Sequence, residues 1–350
     1  MRYQRGQALL FLLALVVIGL TALGLGLIRP AASAINADNR TTQALAQAKD
    51  LLLGWGISNQ IRPGLLPYPD RNSDGAYDGY SDCPPQDSNP VTSNLLLGKL
   101  PFIGEKLPCV SPSTNMGIEK TDAGGETLWY AVSSNLVNDR IPAVYPNIPA
   151  NLNGTTNWLS VSDSSGNLLS NQVAFVLLAP GGVLPAQDRS AAAPGAVNYL
   201  DSYTVGAGTY NNWDSSALSF ISAPDTARVP AGSNQFNDRL IYVTRDEYRI
   251  AIANRIAGEL KLLLTQFYID NGFYPYAAPA ADGECVNGTT TGYFPSQDAV
   301  PDCAWTNGSA LAGLPLNPSW FSDWNNYVAY TRNAPNSASL TIFGKSYALP

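Results

Sequence analysis

Residues 8–28 read ALLFLLALVVIGLTALGLGLI, a run of 21 positions without a charge. As a helix this stretch spans roughly 30 Å, about the hydrocarbon thickness of a bilayer. Arg2 and Arg5 precede it, and Arg29 comes closely after it. Positive charge on the short N-terminal side holds that end in the cytoplasm and predicts export of everything after the run.

The remainder of the chain is large. A chain of 350 residues can carry one large or two modest domains, each able to bury a core. Charged residues make up only 13% of it, while Ser, Thr, Asn and Gly are abundant, a balance that suits a β-rich extracellular surface. The net charge of -7 and the absence of a Lys/Arg cluster argue against broad nucleic-acid binding. No histidine is present, which excludes histidine-dependent triads, imidazole bases and histidine metal sites. There is no Gly-x-Ser-x-Gly elbow or phosphate loop either, and no enzyme is expected. Glu126, Asp139 and Asp238 stand isolated in sequence, and such acids more often make salt bridges and turns than paired catalytic carboxylates.

The four cysteines agree with export. Cys83 stands near Cys109 and Cys285 near Cys303, so two local disulfides are the simplest of three possible connectivities. An oxidising compartment suits them. None has Cys-x-x-Cys spacing, which disfavours zinc and thioredoxin-like chemistry.

The first sixty residues admit three readings. Ala32-Ser33-Ala34 is an acceptable signal-peptide cleavage site, but the apolar run exceeds the roughly 7–15 residues of a usual secretory core. A simple membrane anchor is the second reading. The third starts from the continuation of the helix: residues 35–53 contain no proline or glycine, and Ala44, Ala48, Leu51, Leu52 and Trp55 fall on one helical face. Pro30 interrupts the two halves.

With these features, Met1-Arg-Tyr-Gln-Arg-Gly6 resembles the short basic leader of type IV pilins and type II secretion pseudopilins. The resemblance implies that a prepilin peptidase cuts after Gly6 and leaves Gln7 as an N-methylated terminus. It implies inner-membrane anchoring before assembly, then packing of the apolar helix among other pilin subunits in an extracellular or periplasmic filament. Gly19, Ala22, Gly24 and Gly26 supply a small-residue surface that lets helices approach closely. Family members usually carry a glutamate five residues into the mature helix, where this chain has Phe11. That departure resembles the tip pseudopilin of secretion systems and points to a minor or tip-proximal subunit.

The expected fold class is α+β: a long N-terminal pilin helix and a β-rich head with an antiparallel sheet. Strands are predicted at 128–133, 158–162, 173–179, 240–244, 327–331 and 340–343, with 173–178 buried on both faces. The Gly/Pro/Asn/Ser stretch at 183–235 reads as surface loops. A second helix begins at Thr244, which has capping-box spacing to Glu247, and ends at Asn271-Gly272. Ile252, Ile256, Leu260, Leu263 and Phe267 share its apolar face. Both helix exits carry Pro-Tyr, in Leu66-Pro-Tyr-Pro-Asp70 and Tyr274-Pro-Tyr276, and each precedes a two-cysteine loop. This weak internal repeat suggests two pilin-like modules. The predicted organisation is a leader at 1–6, a helix at 7–60 with its membrane half at 8–28 and amphipathic half at 35–55, a first module at 61–235 and a second at 236–350.

Chemistry concentrates in Asp70-Arg-Asn72-Ser-Asp74-Gly75-Ala76-Tyr-Asp78, which matches the opening of an EF-hand-type calcium loop. Alternating oxygen donors can converge on one ion, with Gly75 making the sharp turn and Ala76 offering its carbonyl. Ser81 stands at the twelfth position, so Asp82 is the expected closing carboxylate, directly beside Cys83. Asx-rich turns form for conformational reasons alone, but three carboxylates in nine residues repel unless a cation joins them. Calcium is the expected cofactor. The competing class is a secreted or anchored surface protein that binds glycans or host surfaces through its seven Trp and eighteen Tyr.

Overall fold

The computed structural model describes residues 35–72, 75–83, 92–105, 109, 113–114, 117, 119–137, 146–227, 234–296 and 320–349. Gly6, Gln7, the apolar run at 8–28, Asp74, Asp139 and Cys303 lie outside them. No helix among the described residues is long and apolar enough to cross a membrane.

The architecture is α+β. Helix α1 spans 35–58, and Thr41, Leu45, Ala48, Leu52 and Gly56 bury one face of it. Ala44, Leu51 and Trp55 are half-buried at the flank of that stripe, so the buried face is rotated slightly from the predicted one. Short strands β1 (Tyr80–Ser81), β2 (Leu97–Lys99), β3 (Gly104–Glu105) and β4 (Ser113–Thr114) come next. Then come β5 (Trp129–Val132), helix α2 (Ile148–Asn153), β6 (Leu159–Asp163) and the twelve-residue β7 (Leu168–Ala179).

The stretch expected to be loops contains a hairpin, β8 (Ser202–Val205) with β9 (Gly208–Asn211), and a strand, β10 (Ser219–Ser222). Strand β11 (Arg239–Thr244) runs straight into helix α3 (Arg245–Asn271). The Thr244 side chain caps α3 by accepting from the Glu247 N–H, and Gly272 closes it at φ 77°, in the left-handed region. Strands β12 (Thr291–Tyr293), β13 (Val328–Ala334), β14 (Ser337–Ile342) and β15 (Lys345–Ala348) complete the chain, with a short helix at Phe321–Trp324.

Two sheets are built on one plan. In the first, β2, β5, β7 and β11 pair antiparallel in that order, and in the second β12, β13, β14 and β15 do the same. Gly98, Tyr130, Leu177 and Ile241 form one cross-strand row of the first sheet. Gly292, Tyr330, Leu340 and Tyr347 form the corresponding row of the second. The Tyr130 hydroxyl donates to the Pro67 carbonyl at 3.2 Å, and the Tyr330 hydroxyl donates to Pro275 at 2.9 Å. Asp70 bridges Lys99, and Ala278 bridges Tyr293. A side chain on Gly98 would strike the Asp70 carbonyl, and one on Gly292 would strike that of Ala278. Each helix exit is therefore sewn to its own sheet by the same three contacts.

The first sheet is larger. Strand β6 pairs with the first half of β7, and β10 joins β6 in parallel. Over 175–178, β7 has β5 on one edge and β11 on the other. Side chains then alternate between two cores. Tyr130, Val132, Phe175 and Leu177 face α1 and α3, whereas Trp129, Ala131, Val176 and Leu178 pack with Tyr199, Leu200 and Phe220. The 183–221 segment is ordered because it covers that second apolar face. Helix α3 shares the first core with Val328, Tyr330, Leu340 and Ile342 of the second sheet. Its Leu264 is fully buried, while Leu263 sits half-buried beside it.

Candidate metal centre

The predicted calcium loop leaves α1 through the Pro67-Tyr68-Pro69 exit. Asp70 is fixed at its start by paired backbone hydrogen bonds with Lys99, 2.9 and 2.7 Å. Its side chain is 2% exposed. Oδ2 accepts the Gly79 N–H at 2.7 Å, while Oδ1 is buried with no hydrogen-bond partner. A buried carboxylate oxygen in that state is costly without a cation or proton.

Asp78 and Asp82 stand close enough to Asp70 for their charges to act on it, each held by a backbone N–H. Asp78 Oδ1 accepts from the Tyr80 N–H at 3.0 Å, and Asp82, 6% exposed, accepts from the Arg71 N–H at 2.7 Å. The Asp70 carboxyl is pushed up to about 8, first by burial, then by the negative charges of Asp82 and Asp78. The Gly79 N–H and Lys99 oppose that shift. Two neighbouring acids thus add to burial in disfavouring the charged form of the Asp70 carboxyl, a penalty that a bound cation would relieve.

Gly75 takes φ +98°, which provides the sharp turn the ion loop requires. Ala76 is exposed on that turn. The Asn72 amide donates its Nδ2 proton to the Ala193 carbonyl at 2.8 Å, so Oδ1 is the atom it has to offer an ion. Asp78 and Asp82 thus lie near enough to act on the charge of Asp70, but the three carboxylates do not gather with their oxygens all within 4.8 Å of one another. Asn72 and Ala76 sit on the connecting turn, and Asp74 lies outside the described residues. The donors are hard oxygens, the set that suits calcium.

The loop is tied down on both sides. Cys83 and Cys109 form a disulfide across 26 positions, and Cys285 is also disulfide-bonded. Tyr77 donates to the Pro194 carbonyl at 3.1 Å and meets Trp129 edge-on at 5.8 Å. Lys99 places its Nζ 4.6 Å from the Tyr77 ring and 4.8 Å from that of Tyr199. No sequence pattern announces these aromatic contacts, because their partners are scattered across 77–199.

Cys83, Cys109 and Glu105 also cluster, with the Glu105 carboxyl pushed up to about 7 by burial. The two sulfurs are bonded to each other and are not thiolates, so this trio is no metal centre. Of the isolated acids, Glu126 pairs with Arg189 at 3.1 Å. Asp238 is buried beside Asp201 and accepts the Asp201 N–H at 2.8 Å and the Asn212 amide at 3.0 Å.

No family model, no curated protein and no solved structure matches this chain.

Proposed function

We propose that this chain is a structural subunit of a type IV pilus or related pseudopilus, minor or tip-proximal, with a head braced by calcium and by disulfides. The observation that carries the reading is the repeated unit of helix, Pro-Tyr exit, cysteine loop and four-stranded antiparallel sheet. Only the first copy is preceded by an uncharged run long enough to span a bilayer. Helix α1 buries one face on the head, and the 8–28 run ahead of it remains for packing with other subunits. Phe11, in place of the usual glutamate, favours a subunit at the end of a filament over one in its shaft.

Support for the cation comes from comparing the two copies. Asp70 occupies the bridge position that Ala278 occupies in the second copy, and the backbone there pairs in the same way. The carboxylate is therefore not required to build the bridge, and its burial calls for another reason. Cys83 stands thirteen positions after Asp70, while Cys285 stands only seven after Ala278. The extra length in the first copy is the acidic turn. Asp70, Asn72, Asp74, Ala76, Asp78 and Asp82 would hold the ion, whose charge would join the loop to β2 and to the 193–194 segment.

Mass spectrometry of the mature protein tests the filament reading. A start at Gln7, N-methylated, is expected. A start at Ile35 identifies a cleaved secretory signal and removes the subunit reading.

A further inference from the structure

A concave site lies on the covered face of the first sheet, lined by none of the acidic loop's residues although the loop touches the same segment at 193–194. The β8–β9 hairpin and the 184–201 segment enclose a cleft of ≈ 540 Å³, within the roughly 300–1,000 Å³ typical of small-ligand sites. Its walls combine three kinds of surface. The Trp213 indole is half-buried, and its Nε1–H donates to Ser202 Oγ at 3.0 Å, which pins the ring by one edge. Leu184 and Val197 add aliphatic surface, Val197 being 52% exposed with no polar reason to be there. Asn234 is held flat against Thr204: its Oδ1 accepts the Thr204 N–H at 3.2 Å and its Nδ2 donates to the Thr204 carbonyl at 2.7 Å.

The polar groups are oriented before any ligand arrives. Asn234 retains one amide proton and one lone pair, and Ser202 retains its hydroxyl proton. The charge of the wall narrows the ligand class. Among the described residues no Lys or Arg lines the cleft, so a phosphate, sulfate or carboxylate meets no counter-charge. Asp201 is the one acid there, and its oxygens are engaged by the Asn237 and Asp238 N–H groups and by Gln187. A cation therefore finds no ready carboxylate. What fits is a neutral molecule with one apolar face and a rim of hydroxyls.

We propose that this cleft binds a neutral oligosaccharide, with a pyranose ring stacked on Trp213 and its hydroxyls meeting Asn234 and Ser202. The inference is independent of the cation and of the filament, and it would give the head a surface-binding role whichever compartment displays it. Stacking on an aromatic ring and hydrogen bonding to a fixed amide are separate contributions, so both can be tested.

The test uses the full chain in detergent micelles, with chitotriose, cellotriose and maltotriose as neutral probes and trigalacturonate as the anionic one. Titration calorimetry in calcium and again in EDTA separates this site from the acidic loop. At least one neutral trisaccharide is expected to bind saturably in both buffers, and trigalacturonate is not. Trp213→Ala should weaken that binding by about tenfold, with Trp213→Phe retaining most of it. Val197→Arg, at an exposed position that leaves the core intact, should block the cleft. Failure of all three neutral sugars to bind overturns the proposal, as does binding that survives both Trp213→Ala and Val197→Arg unchanged. Preferential binding of trigalacturonate overturns it too.

Discussion

Tyr330 donates its buried hydroxyl to the Pro275 carbonyl at 2.9 Å, tying the exit of α3 to the middle of the second sheet. Tyr130 makes the matching bond to Pro67, in a row of residues with the same cross-strand neighbours. The contacts are equivalent, so their loss should be equivalent. Tyr130→Phe and Tyr330→Phe each leave a buried carbonyl unsatisfied and should cost about 1–3 kcal/mol. Urea unfolding measures both, and a loss confined to one variant would show that the two exits are not held alike.

The glycines of the two rows make a sharper comparison. Gly98→Ala and Gly292→Ala drive a methyl into the carbonyls of Asp70 and Ala278 and should each destabilise by about 1–3 kcal/mol. Gly258 lies exposed on α3 with open space around it, so Gly258→Ala should stabilise by up to about 1 kcal/mol. Thermal melts of the three variants are enough to check the opposite signs.

The acid pair behind the cleft sets a pH dependence. Burial pushes the Asp201 carboxyl up to about 6. Asp238 rises well above the ordinary carboxylate range, through burial and then the Asp201 charge. Arg189 lowers both, and Asp225 raises Asp201. Folded values above the unfolded 3.8 mean that this contribution is complete below that pH. It is lost as pH rises through about 6. Asp238→Asn keeps the acceptor for Asp201 and Asn212 and removes the charge. The variant should melt higher than the parent at pH 7 and converge with it at pH 4. A gap constant with pH would contradict the assignment.

The disulfide under the acidic loop closes 26 positions of chain. Replacing Cys83 and Cys109 together by serine should cost about 3 kcal/mol, chiefly by freeing the unfolded chain. Denaturant unfolding of the double variant gives the number.

Much of this is legible in the sequence, for physical reasons that differ by element. The boundaries of α3 are readable because Thr244 and Asn271-Gly272 act locally on the backbone. The strand at 173–178 is readable because a run without polar side chains has to be buried on both faces. Strands β2 and β12 are not, being three residues long with a glycine at the centre. What fixes them is the close approach of Gly98 and Gly292 to the exit loops, which no local pattern encodes. The 183–221 segment reads as loop because its Ser, Gly and Pro content hides Tyr199, Leu200 and Phe220, whose burial is supplied by the sheet beneath. In the acidic loop the spacing of Asp70, Asp78 and Asp82 is visible in the sequence itself. The orphaned Oδ1 of Asp70, and its replacement by Ala278 in the second copy, emerge only from the fold.

That substitution between copies points to the most direct measurement. Asp70→Asn keeps an acceptor for the Gly79 N–H but removes the buried charge. The parent chain should melt several degrees higher in millimolar calcium than in EDTA, and magnesium should give less of that rise. Asp70→Asn should show no calcium-dependent rise while melting at or above the parent in EDTA. Equal melting of the parent with and without chelator, or a full calcium response in Asp70→Asn, would contradict a cation held by this loop.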